Sequence, residues 1–227
     1  MTELQDLAVP VITIDGGGGT GKGSVSKNVS EFLGFHCLDT GVIFRVITFI
    51  KICRNVTDKR GIIKIAQEVS NNPVLVRNTI HLDETLVGNA IRTPIIDKNV
   101  SEVAKIPEVR NEIRKRIVDL RQYPGLVAEG RDMSHVFPTD FMYFLYADPR
   151  VVATRRVIQN QRREIFLSYD EVLKDILDRD HEDKNRKVSP LKPHEGALII
   201  DTSYISKEAV AEIILDDYRN QINKARV

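Results

Sequence analysis

The run Val9-Pro10-Val11-Ile12-Thr13-Ile14-Asp15 leads directly into Gly16-Gly17-Gly18-Gly19-Thr20-Gly21-Lys22-Gly23-Ser24, and from Lys22 to Leu33 the apolar residues Val25, Val29, Phe32 and Leu33 recur at helical spacing. This succession of buried strand, glycine loop and helix constrains the fold more than any other feature. The first run is short, apolar and β-branched, as a strand covered on both faces must be. Glycines let the backbone take positive φ and turn several N–H groups toward one anion. The following helix N-terminus adds partial positive charge, and Lys22 adds a full one. A strict phosphate loop places Ser or Thr directly after the lysine; here Gly23 intervenes and Ser24 follows. A glycine-rich surface turn is the bland alternative, but the strand–loop–helix context favours a bound nucleoside triphosphate.

The same alternation continues. His36–Asp39 reads as a second strand and Thr40–Cys53 as a helix, while Gly34 stands where a helix C-terminal glycine belongs. Leu126–Glu129, Phe141–Ala147 and Ala197–Asp201 are further apolar strands. Asp148-Pro149 caps a helix to about Arg163, Ser168 with Glu171 forms a capping-box pattern for a helix to about His181, and Ser206–Ile222 closes the chain as a helix. Five strands separated by helices predict an α/β fold, a five-stranded parallel sheet flanked by helices. The middle differs: Ile62–Val69 is helical, and Val74–Arg77, Ile80–Leu82 and Thr85–Val87 read as small antiparallel strands. A helical region Ile95–Gln122 follows, broken at Pro107.

The 227 residues are 42% hydrophobic and carry 33 Lys+Arg against 32 Asp+Glu, so a nucleic-acid-coating protein is not expected, and only 6% are aromatic, too few for a base-stacking platform. Cys37 and Cys53 lack metal or disulfide spacing, and His36, His81, His135, His181 and His194 show no ligand pattern. No secretory signal or membrane span is visible, which makes a cytoplasmic, soluble protein the expectation.

Three polar clusters interrupt this frame. Arg45 lies in an otherwise apolar helix, where it either snorkels or clamps an anion. Glu129-Gly130-Arg131-Asp132 follows a predicted strand, beyond whose carboxyl end ligands collect in open α/β sheets; a surface ion pair is the alternative. Arg179-Asp180-His181-Glu182-Asp183-Lys184-Asn185-Arg186 taken alone reads as a solvated helix end.

Taken in order, V-I-T-I-D-G with G-K-G-S, D-T-G-x-x-x-R, A-I-R-T at Ala90–Thr93, Ser101 with P-E-V-R at Pro107–Arg110, G-R-D-M at Gly130–Met133, and R-D-x-x-D-x-N-R with V-S-P-L resemble the bacterial cytidylate (CMP) kinases over nearly the whole chain. These belong among the nucleoside-monophosphate kinases. The resemblance implies a P-loop kinase core at about 1–55 and 105–227, an inserted NMP-binding lobe at about 56–104 and a lid at about 155–188. It implies ATP on Gly16–Ser24 and on Arg155 and Arg156, with Lys22, Arg131 and Arg179 in catalysis. Arg45 and Arg131 would hold the acceptor phosphate, and Phe44 would be among the CMP-binding residues. Thr40, Arg110, Asp132 and Arg186 would face cytosine, and Ser101, Arg179 and Asp183 the ribose. Mg²⁺ would accompany ATP, touching Ser24 directly or through water. The implied enzyme is a monomer acting on ATP and CMP or dCMP, with no nucleic-acid or membrane partner. An adenylate- or shikimate-kinase-like enzyme is the nearest rival, but no D-G-x-P-R segment is present. Three departures stand out: Phe44 replaces the usual Tyr, Gly17-Gly18 replaces Pro-Ser, and the loop after Met133 is one residue shorter.

Overall fold

The computed structural model describes residues 9–72, 86–139, 141–162, 164–186, 188 and 190–225. Its five strands are β1 (Val11–Gly16), β2 (His36–Asp39), β3 (Leu126–Gly130), β4 (Met142–Tyr146) and β5 (Leu198–Asp201), in the sheet order β2-β3-β1-β4-β5. The expected five-stranded parallel sheet is present; β1 pairs with β4 from Thr13↔Met142 to Gly16↔Leu145, and β4 with β5 from Tyr143↔Leu198 to Tyr146↔Asp201. All residues of β1 and β3 are buried, as helices on both faces require.

The helices among the described residues are α1 (Lys22–Leu33), α2 (Thr40–Cys53), α3 (Lys59–Ser70), α4 (Leu86–Ala90), α5 (Pro94–Ala104), α6 (Pro107–Ile117), α7 (Met133–Val136), α8 (Pro149–Gln161), α9 (Tyr169–Asn185) and α10 (Lys207–Ala225). Their ends follow local chemistry. Asp39 accepts from the Val42 N–H at 3.1 Å and Asp148 from the Arg150 N–H at 2.8 Å, both as N-caps. Ser168 and Glu171 form the reciprocal capping box, and Pro94, Pro107 and Pro149 open their helices where a missing N–H costs nothing.

Two expectations need correction. Leu86 and Val87 begin α4 rather than extending a strand, because two apolar residues are too few to reveal a period. The helix expected to end near His181 runs to Asn185, since nothing between those residues breaks it. The small strands placed at Val74–Arg77 and Ile80–Leu82 lie outside the described residues.

The chain divides into two compact units, one of Met1–Val11 with Gly34–Ala128, the other of Ile12–Leu33 with Glu129–Val227. In the first, α2 packs on α3 and α5, and α3 on α6, burying Ile47, Ile65, Ile91, Ile96 and Ile113. Gly125 makes room there for the Phe35 ring, which would have to move from a Cβ 2.5 Å away, and the Gly125 carbonyl accepts from the His36 N–H at 2.9 Å. In the second unit, α1 packs on α10 and α8 on α9, and the buried Tyr143 hydroxyl donates to Asp217 Oδ2 at 2.8 Å.

Candidate active site

In the second unit, the connection leaving β1 runs toward one edge of the sheet and that leaving β4 toward the other, so a topological switch point lies between them. The glycine loop sits at that carboxyl end. Gly16 has φ +149°, and a Cβ there would come 2.2 Å from the Leu145 carbonyl oxygen, so only glycine lets β1 turn out while paired to β4. Gly21 has φ +92° with open space around it, a purely conformational requirement. Lys22 Nζ donates to the Gly17 carbonyl at 2.5 Å, and Thr20 Oγ1 donates to the same oxygen at 3.0 Å. The lysine ammonium is thereby folded over the loop. Thr202, just after β5, braces the loop by donating from Oγ1 to the Thr20 carbonyl at 2.8 Å.

Arg131 emerges from the end of β3 beside this loop. Its Nη2 lies 3.3 Å from where a Cβ on Gly18 would stand. Its Nη1 meets Asp183 Oδ2 at 2.9 Å and Asp180 Oδ1 at 3.8 Å, and Arg186 Nη1 donates to the other oxygen of Asp183 at 3.0 Å. Asp183 is thus a buried carboxylate shared by two guanidinium groups. Asp180 also borders the loop, 3.6 Å from the Cβ position of Gly17. Burial pushes its carboxyl above the ordinary range, against the pull of Arg131, Lys184 and Lys22. Arg179 precedes Asp183 by one turn of α9, so the supposed solvated helix end holds a charged lattice beside a phosphate loop. Arg155 Nη2 donates to the Thr202 and Ser203 carbonyls at 2.6 and 3.1 Å, gripping the turn that braces Thr20; Arg156 follows it on α8, half-buried.

Asp132, 4% exposed, follows Arg131 in the second unit, where Ser24 is exposed on α1; Thr40, Phe44, Arg45, Ser101 and Arg110 lie in the first unit. Arg45, 8% exposed, donates from Nη1 to the Ile91 carbonyl at 2.9 Å and from Nη2 to Asp97. Its charge is met inside the protein by Asp97 rather than carried out to solvent. Arg110 is buried, donates from Nε to the Ala104 carbonyl at 2.6 Å and stacks 5.3 Å from the Phe44 ring centroid. Phe44 keeps this packing without a hydroxyl. Thr40 is buried at the start of α2, and Ser101 lies about one turn before Ala104 on α5.

A model of the family described as "Cytidylate kinase" matches residues 12–220. The chain belongs to the cytidylate kinase family. Among its relatives, a cytidylate kinase from Enterobacter sp. (strain 638) is 35% identical, covering 95% of this chain and 97% of that protein. One from Caldanaerobacter subterraneus subsp. tengcongensis is 36% identical, covering 92% and 94%. In fold alone, the chain is similar to the crystal structure of an uncharacterized protein from Eubacterium ventriosum ATCC 27560, with a TM-score of 0.51, 14% identity and coverage of 93% and 99%.

Within this cytidylate kinase family member, sequence reasoning gave no role to two buried acids. Glu129, 5% exposed, places its Oε1 3.3 Å from the Cβ position of Gly23, so a side chain there would press on this carboxylate. Asp15, 2% exposed, accepts hydrogen bonds from Met133 and Ser134, although burial pushes its carboxyl up. An acid inside an apolar strand run is a signal that could have found it. Among the described residues no group of three or more His, Cys, Asp or Glu could hold a metal ion, and no helix is long and apolar enough to cross a membrane.

Proposed function

We propose that this chain transfers the γ-phosphoryl group of ATP to CMP or dCMP, giving ADP and CDP or dCDP. The observation that carries this reading is Arg131, held by Asp183 and reaching over Gly18 of the phosphate loop. A guanidinium there lies beside the donor loop and, following the family pattern, also serves an acceptor phosphate. The nucleophile is a CMP phosphate oxygen, largely ionised near neutral pH because its second pKa is about 6. No general base is needed. Catalysis then consists of alignment and neutralisation of charge as the γ-phosphoryl moves. Lys22, released from the Gly17 carbonyl, and Arg131 and Arg179 supply that charge, with Arg155 and Arg156 on the ATP side.

On the acceptor side Arg45 and Arg131 take the phosphate, so Arg45 must exchange part of its pairing with Asp97 for substrate. Ser101, Arg179 and Asp183 take the ribose. Thr40, Arg110, Asp132 and Arg186 take the base, where a carboxylate accepts from the cytosine amine and arginine donates to the ring nitrogen and carbonyl. Uracil would oppose a carbonyl to Asp132, which discriminates against it.

The residues present suit Mg²⁺, a hard cation that keeps waters and phosphate oxygens and needs few protein ligands. The exposed Ser24 hydroxyl and the buried Glu129 carboxylate near Gly23 are the oxygen donors that would hold it. When bound, the ion neutralises phosphate charge. Residues 155–188 act as a lid, residues 56–104 as the acceptor lobe, and the enzyme works as a cytoplasmic monomer.

The test is a coupled ADP-release assay with ATP and Mg²⁺ across CMP, dCMP, UMP, AMP and shikimate. CMP and dCMP should give the highest kcat/KM; faster turnover of AMP or shikimate would overturn the substrate assignment.

A further inference from the structure

Asp15 is the one acidic residue of β1 and directly precedes the glycine loop. A buried carboxylate is costly unless hydrogen-bonded, and this one is. Its Oδ1 accepts from the Met133 N–H at 2.8 Å, and its Oδ2 accepts from the Ser134 N–H at 2.9 Å and from Ser134 Oγ at 2.8 Å. Met133 and Ser134 are themselves 3% and 4% exposed, so these donors have no water to turn to. They immediately follow Arg131 and Asp132. The anchor therefore ties the segment carrying the phosphate-binding guanidinium and the base-reading carboxylate to the last residue before Gly16. At the other end of the same segment, Arg131 Nη2 stands over Gly18. Two loops that must keep a fixed separation during phosphoryl transfer are joined through one side chain, with charge-assisted hydrogen bonds.

We propose that Asp15 is a positioning residue for the phosphoryl transfer, setting Arg131 and Asp132 against the glycine loop through Met133 and Ser134; this rests on the CMP kinase reading above. Asp15 touches no substrate. Its effect passes through the Arg131–Asp132 segment and not through ATP affinity.

The test compares the wild type with Asp15→Asn, Ser134→Ala, Arg131→Ala and the double variant Asp15→Asn/Arg131→Ala, reading kcat, both KM values and the CMP:UMP ratio of kcat/KM. Asn has the same shape, but its amide group cannot accept from the N–H it would face. Loss of one or two such bonds predicts a kcat reduction of about 30-fold. The CMP:UMP ratio should narrow at least about threefold, with the KM for ATP within about twofold of wild type. On the Arg131→Ala background the same substitution should cost less than about threefold, because the residue it positions is gone. A kcat for Asp15→Asn near wild type, an unchanged CMP:UMP ratio, or an undiminished effect on the Arg131→Ala background each overturns the proposal. Should Asp15→Asn fail to fold, Ser134→Ala decides: it keeps both backbone bonds and should lose about three- to tenfold in kcat with the same narrowing. Wild-type kcat and ratio in that variant would refute the role. A wild-type protein that leaves CMP unphosphorylated sinks the kinase reading itself, and that result precedes any comparison of variants.

Discussion

Arg131→Ala separates catalysis from folding most cleanly. In the folded protein the guanidinium meets Asp183 at 2.9 Å with 15% and 9% of the two side chains exposed, and Asp180 at 3.8 Å. Breaking a buried pair from one side typically costs about 3–5 kcal/mol. Here Asp183 keeps Arg186 at 3.0 Å and Asp180 is 22% exposed, so the loss should be smaller, about 1–3 kcal/mol. For a chain of this size that lowers Tm by about 3–10 °C and leaves the fold populated at 25 °C. The kinetic loss should be far larger. Removing one charged group aimed at a migrating phosphoryl costs about 10³ in kcat, or about 4 kcal/mol of transition-state stabilisation. Arg131→Lys should fall between, since a point charge replaces a planar fork. Steady-state ADP release at saturating CMP and ATP, beside a thermal melt of the same preparation, measures both quantities. A folded Arg131→Ala protein with kcat within about threefold of wild type would refute the reasoning.

Asp132→Asn should narrow the CMP:UMP ratio of kcat/KM by about tenfold, because an amide tolerates the uracil carbonyl that a carboxylate repels; an unchanged ratio would remove Asp132 from base reading. Burial raises the Asp180 carboxyl in the folded state, so the folded protein binds that proton more tightly than the unfolded chain. The associated stability is present in acid and is lost as pH rises from the ordinary carboxylate value through the raised one. Asp180→Asn should therefore flatten this part of the Tm–pH curve, and an identical curve would contradict it. Gly16→Ala places a Cβ 2.2 Å from a backbone oxygen and should cost more than about 3 kcal/mol. Gly21→Ala meets open space and should cost about 1–2 kcal/mol of backbone strain alone; denaturant melts that rank the two in the opposite order would undo the steric argument.

Sequence reading was strongest where chemistry is local. The bounds of α1 and α2, the Asp148 cap, the Ser168–Glu171 box and the break at Pro107 all depend on residues within one helical turn, so their signals lie side by side in the chain. Glycine at position 16 and the five strand runs carried similar information. The strand reading failed at Leu86–Val87 because two apolar residues cannot distinguish a period of two from 3.6.

The amino-acid order by itself determined the alternation of strand and helix, the phosphate loop and the family, because propensity, periodicity and ordered motifs are properties of neighbouring residues. Only the tertiary structure decided which charges meet: Arg131 with Asp183 across 52 positions, Arg45 with Asp97 across 52, Asp15 with Ser134 across 119. Coulomb and hydrogen-bond energies depend on separation in space and on burial, and for Asp15 and Ser134 the sheet order that sets β1 beside β3 decides both.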